Sequence, residues 1–262
     1  MAIIEHDFLI PIDENATLLR YMSLEKFALM LEKKSLFFCR ADKFSDPFEC
    51  STPKKEFEYR KFKAMKLTGS DENASDLRVQ NFSVFFQRVK KSTVINCWQI
   101  NTHESDGMWQ LYLKTNEGIA IQSNFKRIKE AFLNTPVDIY SSKVRYIDYE
   151  NDIWYNAVDY PVKVLNTITS VIHKRIEFKH ENEFRLFFEI PESTSDFTGK
   201  YWDNQENRIG KLIPINLNSL VEKIIFAPTV DETGKNLIRE IVNKSGCGFV
   251  FQDSSLTRKP NY

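Results

Sequence analysis

Glycine and histidine are scarce in this chain of 262 residues, with eight and four copies, and the scarcity excludes several classes of function. No GxxxxGK or GxGxxG pattern occurs, so neither a P-loop nor a Rossmann turn can cradle phosphates here. His6, His103, His173 and His180 are scattered, and none stands at a ligand spacing such as HExxH, which argues against a metal centre. Cys39, Cys50, Cys97 and Cys247 form no CxxC pair and lie mostly inside apolar segments, so free thiols in a reducing compartment are expected. The first ten residues carry Glu5, His6 and Asp7 where a signal peptide needs a basic start and an apolar run. No apolar stretch approaches the ~20 residues of a membrane span, and a cytoplasmic protein with no membrane partner is the expectation. Net charge is also lacking: Lys plus Arg equals Asp plus Glu at 36 each. A polyanionic partner would have to be held by a local patch.

Apolar material is plentiful. Hydrophobic residues make up 42% of the chain and there are 21 Phe, enough for a large packed core. Residues 1–262 are expected to form one domain, because elements alternate without a long structureless break. Residues 18–21 form a strand, and Ser23 caps a helix carrying Leu24, Phe27, Ala28 and Leu31 at helical spacing. A strand over 35–40 ends in the polar loop Asp42, Ser45, Asp46, Glu49. A charged stretch at about 54–91 reads as a two-helix insertion. Strands follow at 94–98 and 118–122, with a helix from near Ser105 between them and another at 125–133. A strand at 143–148 and a long helix at 161–174 come next, with Pro161 in its first turn. Strands at 183–190 and 209–217 flank a loop over 191–208 that holds Trp202. The last sixty or so residues read as a strand at 221–227, a helix at 231–244 and a returning strand at 248–251, a β-α-β unit that implies one parallel pair. The fold class is α/β (mixed α+β): a mixed, mostly antiparallel sheet with flanking helices.

Chemistry can sit in two places. Residues 97–112 hold Trp98, Glu104, Ser105, Trp109 and Tyr112, and two tryptophans bracketing a Glu-Ser pair suit a ligand wall. The ordinary alternative is that the aromatics are core and Ser105 is a helix cap. Glu181, Glu183 and Arg185 enter the apolar strand at 183–190. Alternation puts Glu183 and Arg185 on one face, where they can pair with each other or form a surface ladder. Arg20 and Arg40 stand at two other strand ends with the same two readings.

Leu19-Arg20-Tyr21-Met22-Ser23, Leu36-Phe37-Phe38-Cys39-Arg40 with Phe44-Ser45-Asp46-Pro47-Phe48-Glu49, Cys97-Trp98, Met108-Trp109, Val144-Arg145-Tyr146, Glu181-Asn182-Glu183-Phe184-Arg185 and Ile224-Ile225-Phe226-Ala227-Pro228 together resemble a bacterial family catalogued as domain of unknown function twenty-nine seventy-one. The order of arginine strand, capped helix, second arginine strand and late glutamate strand more loosely resembles ADP-ribosyltransferases, especially those acting on DNA. That resemblance implies an ADP-ribosyltransferase-like fold and NAD as substrate. Arg20 or Arg40 would grip the pyrophosphate, and Tyr21, Trp109 or Tyr112 would stack on nicotinamide, with Trp98 and Arg185 completing the cofactor-binding set. Glu183 would polarise a ribose hydroxyl, with Glu104 as the second candidate catalytic carboxylate. No Ser-Thr-Ser strand follows the first arginine, a departure from the transferase pattern. The resemblance implies an NAD-dependent transferase or NAD hydrolase of the kind found among bacterial toxins and defence effectors, its acceptor being water, protein or nucleic acid. Two alternatives stand beside it: a non-catalytic nucleotide or nucleic-acid binding module, and a metal-dependent nuclease using Asp42, Asp46, Glu49 and Glu104.

Overall fold

One strand organises the architecture. In the computed structural model, which describes residues 3–4, 6–69, 71–113, 117–154, 167–190 and 208–261, β4 (Thr93–Ile100) has different neighbours on its two edges. One edge pairs antiparallel along its length with β9 (Glu183–Glu189), in a register that sets Cys97 opposite Arg185 and Gln99 opposite Glu183. The other edge is shared. Its start pairs with β3 (Ser35–Arg40) at Val94 and Ile95, and its end pairs with β2 (Thr17–Ser23) at Gln99 and Ile100. Asn96, Cys97 and Trp98 pair with neither strand on that edge, so the sheet forks beside them. Side chains bridge the gap: Asn96 Nδ2 donates to the Phe37 carbonyl at 2.9 Å, and Arg20 Nη1 donates to the Cys97 carbonyl at 2.7 Å.

The remaining strands extend this centre. They are β1 (Ile3–Ile4), β5 (Gly118–Asn124), β6 (Ile139–Lys143), β10 (Gly210–Pro214), β11 (Lys223–Phe226) and β12 (Val250–Gln252). The order is β1-β6-β9-β4-β2-β5-β11-β12, with β10 pairing β3 off this path. A separate parallel pair joins β7 (Arg145–Ile147) to β8 (His173–Arg175).

Local sequence explains the helices. Ser23 Oγ accepts from the Lys26 N–H to start α1 (Leu24–Lys33), whose buried face is Phe27, Met30 and Leu31; Lys34, left-handed at φ 45°, ends it. The expected insertion is α2 (Lys54–Leu67) and α3 (Glu72–Ser92), the latter capped by Asp71. Ser105 caps α4 (Asp106–Tyr112), and Asn124 caps α5 (Phe125–Ala131). Short helices α6 (Ile168–Val171) and α7 (Leu217–Leu220) precede α8 (Glu232–Ser245), which Asp231 caps. Among the described residues no helix is long and apolar enough to cross a membrane.

Alternation divides the core in two. On β9, Phe184, Leu186 and Phe188 face the main core with Trp98, Phe27 and Ile121. Phe187 faces the other way, into a smaller cluster with Leu9, Ala41, Cys50, Ile95, Val171 and Ile172. Glu183 and Arg185 share that second face.

The fold is the expected mixed, mostly antiparallel sheet with flanking helices, and β11-α8-β12 is the expected parallel unit. Several local expectations are corrected. There are three parallel pairs among the described residues, not one, because β1 joins β6 and β7 joins β8. The strand expected at 143–148 is two strands in different sheets, β6 ending at Lys143 and β7 starting at Arg145. The helix expected at 161–174 has 161–166 outside the described residues, and its described part ends at Val171, with Lys174 in β8. The strand expected at 209–217 ends at Pro214, where Asn216 caps α7. The loop over 191–208 with Trp202 lies outside the described residues except Arg208.

Candidate functional site

Arg185 is fully buried, at 0% exposure, on the smaller-core face of β9. Its guanidinium uses all five N–H donors. Nε and Nη2 bond the two oxygens of Glu183 at 2.9 and 3.1 Å, Nη1 and Nη2 bond those of Glu49 at 2.7 and 3.0 Å, and Nη1 also reaches the Val171 carbonyl at 2.5 Å. Lys174 approaches from β8, with Nζ 2.5 Å from Glu181 Oε2 and 3.2 Å from Glu183 Oε2. All five side chains are buried. Surface pairing of Glu183 with Arg185 is therefore corrected: the two do pair, inside the protein. Sequence alternation found that contact; it could not find Glu49 or Lys174, which come from remote segments.

Two cations thus face three carboxylates in a buried environment. Burial pushes the Glu183 carboxyl up, but Arg185 and Lys174 outweigh it and hold it well below the ordinary range. Burial lowers Arg185 and Lys174, and their carboxylate partners more than restore both. Glu181 moves the opposite way from Glu183, raised chiefly by burial. Beside them Cys97 donates its thiol toward Glu183; burial and that carboxylate push the thiol well up, so it is a neutral hydrogen-bond donor and not a thiolate nucleophile. The Glu183 N–H donates to the Tyr146 hydroxyl at 2.8 Å, which fixes the strand's entry.

Arg20 lies one carbonyl away. Its Nη1 bonds the Cys97 carbonyl, its Cζ is 5.9 Å from the Trp98 ring centroid, and burial lowers its pKa. It has no carboxylate partner among the described residues. Tyr112 turns its hydroxyl inward toward the same groups while 40% of the residue stays exposed. Burial, then Cys97, Glu183 and Glu181, push that hydroxyl up.

The other candidates are engaged elsewhere. Arg40 is buried in a two-pronged pair with Asp42, at 2.8 Å from Nε and 2.6 Å from Nη2. Trp98 and Trp109 are buried in the main core, with indole N–H groups donating to Asn96 at 2.8 Å and Glu104 at 3.1 Å; the reading of both as an open ligand wall is corrected. Tyr21 packs edge-on against Trp109, and its hydroxyl accepts the Ser105 N–H at 3.0 Å. Glu104 anchors the C-terminal segment, accepting from Ser254 Oγ and the Ser255 N–H, both at 2.6 Å. The four carboxylates of the nuclease reading have separate partners: Asp42 with Arg40, Asp46 with Arg175, Glu49 with Arg185, and Glu104 with the serines. Among the described residues no group of three His, Cys, Asp or Glu could hold a metal ion.

A cavity of about 420 Å³, lined by Tyr140, Val171 and Phe187 among others, opens farther along the same sheet face. It contains none of these polar groups and no cation, so the chemistry is assigned to the fork and not to this cavity. Compared with family models, curated proteins and solved structures, the chain gives no match.

Proposed function

We propose that this protein is an NAD-consuming enzyme that transfers ADP-ribose to an acceptor or to water. The observation that carries the reading is Arg20. Arg20, half-buried as a residue and with no carboxylate partner among the described residues, keeps donors for an anion, and a pyrophosphate is the anion that a planar fork suits best. The contrast with Arg40, already held by Asp42, favours Arg20 for that task.

The neighbouring groups suit the rest of the reaction. Cleavage breaks the bond between ribose C1′ and the nicotinamide nitrogen, the bonding pair leaves with nicotinamide, and positive charge develops on the ribose. Glu183, kept ionised by Arg185 and Lys174, supplies fixed negative charge for that moment. The acceptor oxygen or nitrogen then bonds C1′ and loses its proton to solvent. The exposed ring of Tyr112 is the stacking surface for nicotinamide.

Calorimetric titration with NAD tests the assignment. Arg20→Gln is expected to weaken binding by about 10- to 100-fold, the value of losing hydrogen bonds to a charged group. Equal affinity in wild type and variant would remove the basis for the reading.

A further inference from the structure

The helix pair inserted between β3 and β4 has a surface unlike the rest of this electrically neutral chain. Helix α2 carries six Lys and Arg against two Glu. Lys54 pairs with Glu150 and Arg60 with Glu56, while Lys55, Lys61, Lys63 and Lys66 have no ion-pair partner among the described residues. The same helix exposes Phe57, Tyr59 and Phe62, the last at 53%. Ammonium groups lie over two of these rings, Lys63 Nζ at 4.9 Å from the Tyr59 centroid and Lys66 Nζ at 4.5 Å from that of Phe62. A groove of about 160 Å³ between α2 and α3 has Phe57, Val79 and Phe82 in its wall, with Lys63 and Arg78 also lining it.

We propose that the face of α2 carrying Tyr59, Phe62, Lys55, Lys63 and Lys66 binds single-stranded nucleic acid, with phosphates on the lysines and bases on the two exposed rings. Charge complementarity selects a polyanion, and the shared positive sign opposes a second copy of the same face. The arrangement of the rings separates nucleic acid from a lipid surface. A helix lying on a membrane gathers its apolar residues on one side. Here Tyr59 and Phe62 fall at about 200° and 140° from Phe57 around the axis at about 100° per residue, with Lys55 and Lys66 between them at about 160° and 180° and Lys63 beside them at about 240°, while Phe57 lines the groove on the opposite side. Such interleaving suits bases that stack one at a time between phosphate contacts. It favours single strands because duplex bases keep their faces stacked on one another. The inference does not depend on the NAD reading, since it concerns a different surface and a binding step.

Fluorescence anisotropy of labelled oligo-dT and oligo-U, titrated with the full chain over a range of salt, tests it. Wild type is expected to bind at least one strand saturably. In the Lys63→Gln, Lys66→Gln double variant the log–log salt slope becomes shallower by about 1.4, two phosphate contacts at about 0.7 each for single strands. Phe62→Ala weakens binding by about fivefold or more without changing the slope. All replaced side chains are exposed, and circular dichroism melts matching wild type verify that the variants fold. Absence of binding to both oligonucleotides at the lowest salt, or equal binding by wild type and variants, overturns the proposal. So does preference for a duplex of the same length, or sedimentation with phosphatidylserine vesicles in place of oligonucleotide binding.

Discussion

Arg185 and Glu183 are neighbours on one strand face, yet removing one or the other has different consequences. Arg185→Met leaves Glu183 and Glu49 buried without their shared cation and is expected to cost about 3–5 kcal/mol in urea unfolding. Glu183→Gln leaves each cation a carboxylate, Glu49 for Arg185 and Glu181 for Lys174, so a smaller loss of about 1–3 kcal/mol is expected. Equal losses in the two variants would mean that the five groups do not act as one network. Strand alternation made the Glu183–Arg185 contact legible in the sequence. Their burial was not, because it depends on Glu49 from the loop after β3 and Lys174 from β8. Trp98 and Trp109 illustrate the same limit: an aromatic spacing tells which residues share a face, not whether that face meets a ligand or the core.

At the scale of elements, β8 places His173 where pH matters. Burial, helped by the Arg145 and Arg185 charges and opposed by the hydrogen bond to the Thr169 carbonyl, lowers it from 6.5 to about 4. Between those values the unfolded chain binds a proton that the folded protein does not, so stability falls on acidification through that window, by about 3 kcal/mol in all at about 1.4 per pH unit. Stability measured from pH 7 to 4 in wild type and His173→Gln should converge as pH falls, since the variant lacks this proton uptake; parallel curves would contradict the assignment. On β10, a Cβ at Gly210 would collide with the Phe38 carbonyl of β3 and the Phe37 ring. Gly210→Ala is therefore expected to cost about 1–3 kcal/mol by denaturation, with no effect if β10 and β3 did not pair in this register. Helix starts were readable because Ser23, Ser105 and Asp231 cap them with their own side chains. The pairs β1–β6 and β7–β8 were not, since strands of two or three residues show no period.

In the whole molecule, β4 holds the sheet together and opens it, with β9 along one edge and β2 and β3 dividing the other. That fork lets Arg20 reach the Cys97 carbonyl on one side of β4 while Glu183 is fixed on the strand paired to the other side. The insertion is joined to the same region, because the loop carrying Glu49 runs directly into α2. Fold class was legible from the alternation of elements along the chain. The meeting of residues 20, 97, 112, 174 and 183 was not, because only the strand order brings them together. The central claim is that this meeting point consumes NAD, and release of free nicotinamide from NAD tests it most directly, measured with and without single-stranded DNA, RNA or a protein lysate. The account predicts release by wild type, and its loss in a Glu183→Gln variant that remains folded. No release by wild type under any of these conditions, or equal release by the folded variant, would contradict it.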